Sequence, residues 1–250
     1  MTIADNILTI EHRISRAAEA AGRNPAEIRL VAVTKTFGPE SVAEAARAGL
    51  RDFGENRVEE AAPKMQAAPK MQAAPKMQAD GDPGWRWHMV GHIQSRKAAD
   101  VIEAGFALVH SVDTVKLAER LSRAAVSAGR VQPILLECNV SGEASKEGFA
   151  AETEADWRAR LSEFAAVLAL PGVRAQGLMM MAPQGPDPEA ARPFFRRLRE
   201  LQDYLRIHLP QGDWRDLSMG MTDDFEPAIA EGATLVRIGR AIFGERASRP

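Results

Sequence analysis

Two cationic residues break otherwise apolar runs. Lys35 closes Leu-Val-Ala-Val-Thr-Lys at residues 30–35, and Arg237 sits inside Leu-Val-Arg-Ile at 235–238. A primary amine at the end of a buried segment is a candidate nucleophile. It condenses with an aldehyde to a Schiff base, and desolvation lowers a lysine pKa from about 10.4, which favours the free amine. The ordinary alternative for Lys35 is a solvated surface lysine, so its claim depends on what accompanies it. A guanidinium inside an apolar strand is costly unless it is partnered. For Arg237 the candidate partners are Glu55, Glu137 or a ring nitrogen of a bound cofactor, and composition does not separate them.

A possible anion site lies near Arg237. Ser218-Met-Gly-Met-Thr222 supplies two hydroxyls and a glycine, and Gly239-Arg240 reads as the opening of a short last helix. Backbone amides at a helix start favour an anion such as phosphate. The alternative is a turn glycine beside a surface arginine. Other candidates weaken on inspection. His88 and His92 have the HxxxH spacing but lie on a predicted strand, where four residues span about 13 Å, too far for one metal ion. Met89 stands where the helical HExxH motif needs glutamate, so no metal is expected. Cys138 lacks a sign of activation and reads as a small buried residue. Met179, Met180 and Met181 read as packing, and Phe194, Phe195, Leu198, Leu201 and Leu205 form a core-facing helical stripe.

The elements that must position these residues alternate along the chain. Strand-like segments at 29–35, 51–56, 85–93, 106–112, 131–141, 174–183, 216–222 and 234–244 are each followed by a helical pattern, and a further amphipathic helix precedes them all. The strand runs are mostly continuous rather than alternating in hydrophobicity, which suits parallel strands buried on both faces. Strict alternation favours an α/β fold. The competing architecture is an open doubly wound sheet. The count of eight, and the absence of a glycine-rich dinucleotide fingerprint after the first strand, favour a single TIM-type (β/α)8 barrel with an extra N-terminal helix, spanning residues 1–250. At 250 residues and 45% hydrophobic composition the chain suffices for one such domain. Barrel chemistry sits at the C-terminal ends of the strands, with phosphate often bound after strands seven and eight. Lys35, Ser218, Thr222, Gly239 and Arg240 all fall there.

Composition narrows the partners. A net charge of −2 with 26% charged residues of mixed sign carries no basic footprint for nucleic acid. No apolar run approaches the roughly 20 residues of a membrane span. The N-terminal segment does not read as a secretory signal, and a lone cysteine suits a reducing cytoplasm. One segment is anomalous: Ala-Ala-Pro-Lys-Met-Gln occurs three times in tandem over residues 61–78. Pro63, Pro69 and Pro75 each remove a helical hydrogen-bond donor, so the expectation is an exposed loop inserted after the second strand. A basic functional loop using Lys64, Lys70 and Lys76 is the other reading. Three copies of six residues are too short for a solenoid.

In this order, the segments VAVTK at 31–35, FGENRVEE at 53–60, WHMVGHIQSRK at 87–97, ECNVSGEASKEGF at 137–149, GLMMMAP at 177–183, LSMGMTDDFEPAI at 217–229 and LVRIGRAIFG at 235–244 resemble the pyridoxal phosphate homeostasis protein family, whose fold is similar to the barrel domain of alanine racemase. The resemblance covers nearly the whole chain. The repeat makes the stretch between FGEN and WHMVGH longer than the family usually shows. The resemblance implies that Lys35 is the Schiff-base lysine for pyridoxal 5′-phosphate. It implies that Ser218, Thr222 and the backbone of Gly239 and Arg240 serve the phosphate, that Arg237 faces the pyridine nitrogen, and that Asn56 and His88 lie near the cofactor. A cation at that nitrogen disfavours ring protonation and makes the ring a weaker electron sink.

The implied role is a monomeric binding protein that holds the cofactor, delivers it to apo-enzymes and indirectly affects amino-acid and keto-acid balance, without catalytic turnover. The runner-up is an amino-acid racemase, which needs acid/base groups on both faces of the substrate carbon. Lys35 could serve one face. In alanine racemase a tyrosine from a second domain serves the other, whereas the only tyrosine here, Tyr204, falls on a predicted outer helix. A sugar-phosphate barrel enzyme would explain the phosphate cradle but not Lys35.

Overall fold

The computed structural model describes residues 2–72, 84–183 and 185–245. The helix α1 (Ile3–Ala20) opens with a capping box between Thr2 and Asp5, and its buried residues Ile7, Ile10, Ile14 and Ala18 fall at helical spacing. Among the described residues nine parallel strands follow, interleaved with helices: β1 (Arg29–Val33), α2 (Pro39–Arg47), β2 (Asp52–Glu55), α3 (Val58–Gln72), β3 (Arg86–Met89), α4 (Ala98–Ala104), β4 (Leu108–Val112), α5 (Val115–Ser127), β5 (Gln132–Asn139), β6 (Phe149–Ala150), α6 (Glu154–Leu168), β7 (Val173–Met179), α7 (Arg192–His208), β8 (Asp216–Ser218), α8 (Phe225–Ala230), β9 (Leu235–Ile238) and α9 (Arg240–Phe243). Eight of them run in the order β4-β3-β2-β1-β9-β8-β7-β5, and pairing of β4 with β5 closes the barrel. The two-residue β6 is a satellite on the end of β5. The fold is the expected (β/α)8 barrel. The last helix has only four residues, and α1 covers that flank by packing on α2, α8 and α9.

Two apolar clusters separate the inside of the barrel from its shell. Val31, Val33, Val90, Leu108, Leu135, Met179 and Leu235 form the small interior cluster, while the large one packs strands against helices. Cys138 belongs to the shell and is buried there. The barrel interior is not wholly apolar. At the N-terminal ends of the strands Arg86 holds Asp52 with two hydrogen bonds of 2.8 and 2.5 Å, and Arg29 meets Asp216 at 2.9 Å. These first residues of β3, β2, β1 and β8 close the barrel floor with ion pairs. Asp52 also accepts from the buried His88 at 2.8 Å. Burial alone would raise the Asp52 pKa, but the hydrogen bonds from His88 and Arg86 outweigh it and hold the carboxyl well below its usual range.

The tandem repeat differs from the expected loop. Helix α3 continues through its first two copies, and Pro63 is accommodated on the exposed face. The inward positions Val58, Ala61, Lys64 and Met65 recur at helical spacing, and that stripe overrides the local cost of the proline. The third copy, residues 73–78, lies outside the described residues. Lys64 is buried: its Nζ meets Glu55 Oε1 at 2.6 Å and the carbonyl of Thr34 at 2.7 Å. Among the described residues no helix is long and apolar enough to cross a membrane.

Removing one partner of a buried ion pair strands the other charge, so Lys64→Ala is expected to lower stability by about 3–5 kcal/mol in urea denaturation. Asp52 gives a pH signature. Its depressed pKa contributes stability that is present above the unfolded value of about 3.9 and is lost as pH falls through the folded one. Asp52→Asn is expected to cost about 1–3 kcal/mol at pH 7. The gap to the native chain then narrows below about pH 4. A gap that stays constant down to acid would show that Asp52 carries no such linkage.

Candidate cofactor site at the barrel mouth

Lys35 follows the last residue pair of β1 into a tight turn. The amide of Phe37 donates to the carbonyl of Thr34 at 3.1 Å, which puts Lys35 and Thr36 at the two central positions. Thr36 has φ +69°, a left-handed value that suits glycine and strains a β-branched residue. Neighbouring helix α3 holds the turn in place. The Thr36 amide donates to Glu60 Oε2 at 3.3 Å, and Lys64 binds the Thr34 carbonyl. The hydroxyl of Thr34 makes a very short bond to the same Glu55 oxygen that Lys64 uses. Glu55 is thereby committed to the outside of the barrel wall.

The turn opens onto a cavity of about 470 Å³ at the C-terminal ends of the strands. Six of the eight sequence-predicted residues line it: Lys35, Asn56, Thr222, Arg237, Gly239 and Arg240. Val33, Phe37, Val90 and Met181 supply apolar wall. Two glycines make the backbone geometry possible. A Cβ on Gly91 would lie 2.4 Å from the carbonyl oxygen of Asn56, and one on Gly239 would press the carbonyl of Val33 at 3.3 Å. The guanidinium of Arg240 pairs with Asp223 at 2.7 Å and with Glu245 at 3.4 Å on the exposed rim.

Among the described residues Arg237 has no carboxylate in hydrogen-bond contact. Its Nη1 donates to the carbonyl and to the hydroxyl of Ser218, at 2.8 and 2.6 Å, and its Nη2 donates to the carbonyl of Met180 at 2.8 Å. Of the two glutamates suggested by the sequence, Glu55 belongs to Lys64, and Glu137 acts on Arg237 only through its charge. Burial lowers the Arg237 pKa to about 10, so the group remains a cation at neutral pH. Three of a guanidinium's five N–H donors are thus engaged, and two remain at a side chain that lines the cavity.

Ser218 and His88 are the two predicted residues that the cavity wall does not include. Both are buried beneath the cavity and neither lines it. The Ser218 hydroxyl is 2.8 Å from His110 Nδ1, His110 Nε2 is 2.9 Å from His88 Nδ1, and His88 continues to Asp52. Side chains alternate along a strand, and Ser218 points inward one layer below the mouth, where Arg237 occupies its oxygen. Thr222, unlike Ser218, lines the cavity itself. Burial lowers the pKa of both histidines, that of His110 the further. Cys138 is pushed up by burial and is no thiolate.

Beyond the cavity, His92 turns away from His88 and meets Asp113 at 3.1 Å. With Glu147 these groups bring one potential ligand atom each within 4.8 Å, two of the three residues being exposed. Burial, and then the charge of Asp113, push the pKa of nearby Glu137 up to about 7. Sequence reasoning named Lys64 only as one lysine of a basic loop, and it missed His110. Lys64 was concealed by its identical copies. His110 did carry a signal, because it interrupts the apolar strand Leu-Val-His-Ser-Val much as Arg237 interrupts its own.

Comparison with known proteins agrees with this geometry. The family model described as alanine racemase, N-terminal domain, matches residues 6–247. The pyridoxal phosphate homeostasis protein of Pseudomonas aeruginosa is 46% identical over 245 residues, which cover 98% of this chain and 96% of that one. The structure of PipY from Synechococcus elongatus with pyridoxal phosphate bound superposes with a TM-score of 0.78 at 33% identity, covering 97% of this chain and all of that one. An alanine racemase from Clostridium difficile shares the fold, with a TM-score of 0.64 at 13% identity, and the match spans 58% of that longer chain. End-to-end similarity of this degree, on a barrel whose mouth gathers a lysine, a buried arginine and a glycine-bordered polar wall, establishes that the chain belongs to the pyridoxal phosphate homeostasis protein family.

Proposed function

We propose that this protein binds pyridoxal 5′-phosphate as a Schiff base on Lys35 and serves intracellular cofactor homeostasis, holding the cofactor and releasing it to apo-enzymes, with indirect effects on amino-acid and keto-acid balance. The observation that carries the reading is that Lys35 and a buried arginine with no carboxylate partner face one cavity of about 470 Å³. That volume suits a small-molecule ligand. The residues fit the group: an amine for the aldehyde, a cation with two unused donors for the pyridine nitrogen, and Thr222 with the Gly239–Arg240 backbone for the phosphate. The cofactor bound in PipY supports the same assignment. When bound, the cofactor supplies an aldehyde carbon that condenses with a primary amine and loses water. Arg237, a cation at neutral pH, opposes protonation of the ring nitrogen.

The position of the sole tyrosine favours the carrier reading over racemisation. Racemisation needs a second acid/base group opposite the lysine. Tyr204, the only tyrosine, stacks on His208 with ring centroids 3.9 Å apart and packs beside Trp157 on the outer helices α6 and α7. Among the described residues no tyrosine lines the cavity. The role proposed is that of a monomer without catalytic turnover, acting in the cytoplasm.

Borohydride reduction of protein incubated with pyridoxal 5′-phosphate is expected to leave one stable adduct, mapped to Lys35 and lost in Lys35→Ala. An adduct that persists on another lysine overturns the assignment. Adding an L-amino acid to the loaded protein is expected to change the visible spectrum without forming the D-enantiomer in a chiral assay; appearance of that enantiomer would favour the racemase.

A further inference from the structure

The strongest unassigned feature is the polar column inside the barrel. Ser218, His110, His88 and Asp52 lie on β8, β4, β3 and β2, and all are buried. They join Arg237 at the mouth to Arg86 at the floor through consecutive contacts of 2.6, 2.8, 2.9, 2.8 and 2.8 Å. We propose that His110 and His88 are positioning residues, which fix the orientation of Arg237 toward the cofactor ring by passing a single hydrogen-bond polarity up from Asp52. The inference rests on the assignment of Arg237 to the ring nitrogen.

The polarity follows from the donor inventory. Ionised Asp52 can only accept, so His88 must carry its proton on Nε2 and donate it. His88 Nδ1 is then an acceptor, and it takes the proton of His110 Nε2. His110 Nδ1 is in turn an acceptor, and it takes the proton of the Ser218 hydroxyl. The Ser218 oxygen is left with lone pairs only, and Arg237 donates to it. Every junction is satisfied when both imidazoles are neutral Nε2–H tautomers. An added proton on either ring would break that single polarity, because the Ser218 hydroxyl would lose His110 as its acceptor. Arg29, Arg86 and Arg237 surround the pair with positive charge, Asp52 is the anion in contact with it, and burial lowers both histidine pKa values.

The consequence reaches the mouth. Arg237 has carbonyls and one hydroxyl as partners and no carboxylate to orient it. With its own proton directed to His110, the hydroxyl presents only lone pairs to the guanidinium. A carboxylate on the barrel floor therefore determines which atom Arg237 can grip beneath the cavity. Two buried histidines that merely satisfied each other would make no demand on the ring nitrogen, and this separates the proposal from simple core packing.

The test has two arms on the full chain. In the cofactor-free protein, 15N–1H spectra of the histidine side chains are expected to show His88 and His110 as neutral Nε2–H tautomers that do not titrate between about pH 5 and 8. An Nδ1–H tautomer on either ring, or titration in that range, overturns the proposal. In the loaded protein, made with cofactor 15N-labelled at the pyridine nitrogen, the native chain is expected to show the unprotonated ring. Ser218→Ala and His110→Phe are expected to move the resonance upfield toward the protonated-pyridine position at pH 7. Asp52→Asn, which touches neither Arg237 nor the cavity, is expected to move it the same way by a smaller step. An unmoved resonance in a folded Ser218→Ala protein that still forms the Lys35 adduct refutes the relay. Absence of that adduct from the native chain instead refutes the cofactor reading, and the tautomer arm is decided independently of it.

Discussion

A guanidinium in the middle of a barrel strand dictates what surrounds it. Arg237 lies on β9 with its side chain in the interior, where an unpartnered cation would be strongly unfavourable. A carboxylate would neutralise it, and would also remove the feature that makes it useful at the mouth. The barrel instead supplies two carbonyls and a hydroxyl. Hydrogen bonds from a charged group contribute about 1.5–3 kcal/mol each, enough to offset much of its desolvation without a carboxylate in contact. The hydroxyl then needs an acceptor, which needs another, until the series ends at Asp52 and the partly exposed Arg86. One buried cation at the top thus accounts for a polar column beside an interior apolar cluster of valine, leucine and methionine.

Lys35 depends on a second device outside the barrel wall. Its turn carries Thr36 in a left-handed conformation, a strain of order 1–3 kcal/mol, which persists only when the surroundings over-determine it. Lys64 does so at the carbonyl of Thr34 and Glu60 at the amide of Thr36, while Glu55 holds Lys64 and the Thr34 hydroxyl. The amine and the arginine are therefore positioned from opposite sides of the same sheet. Lys35 is set by a helix packed on the outside, and Arg237 by side chains from within.

What could be read from the sequence follows the same division. Parallel strands buried on both faces leave continuous apolar runs, so all eight barrel strands were visible, and Lys35 and Arg237 stood out as interruptions of them. The phosphate-side residues were legible as a group, but the direction of the Ser218 hydroxyl was not. Its proximity to Thr222 in sequence concealed a difference of one layer in depth. The histidines were misleading for a related reason. The spacing of His88 and His92 invites comparison along the strand, whereas neighbouring strands sit about 4.8 Å apart and bring together residues far separated in sequence. His88 pairs sideways with His110, 22 positions away. No local pattern encodes that contact, because it depends on strand register.

The first two copies of the tandem repeat lie on a helix where a loop was expected, because copies identical in sequence are not equivalent on a helix. A six-residue step turns an α-helix by about 600°, so successive copies present the same residue roughly 120° apart around the axis. They cannot all present their lysines to the barrel wall. The copy that begins at Ala61 is in phase with Val58, and it places Lys64 against Glu55. Further copies in the same helix lengthen it without reproducing that contact. A chain can therefore gain repeats beyond the first without disturbing the turn that presents Lys35, provided the first copy keeps its phase. That phase is set by where α3 starts, immediately after the loop that follows β2. Local composition of the repeat carries no record of it, and a count of prolines and lysines points to an exposed loop at the very place where one lysine is among the buried polar residues of the protein.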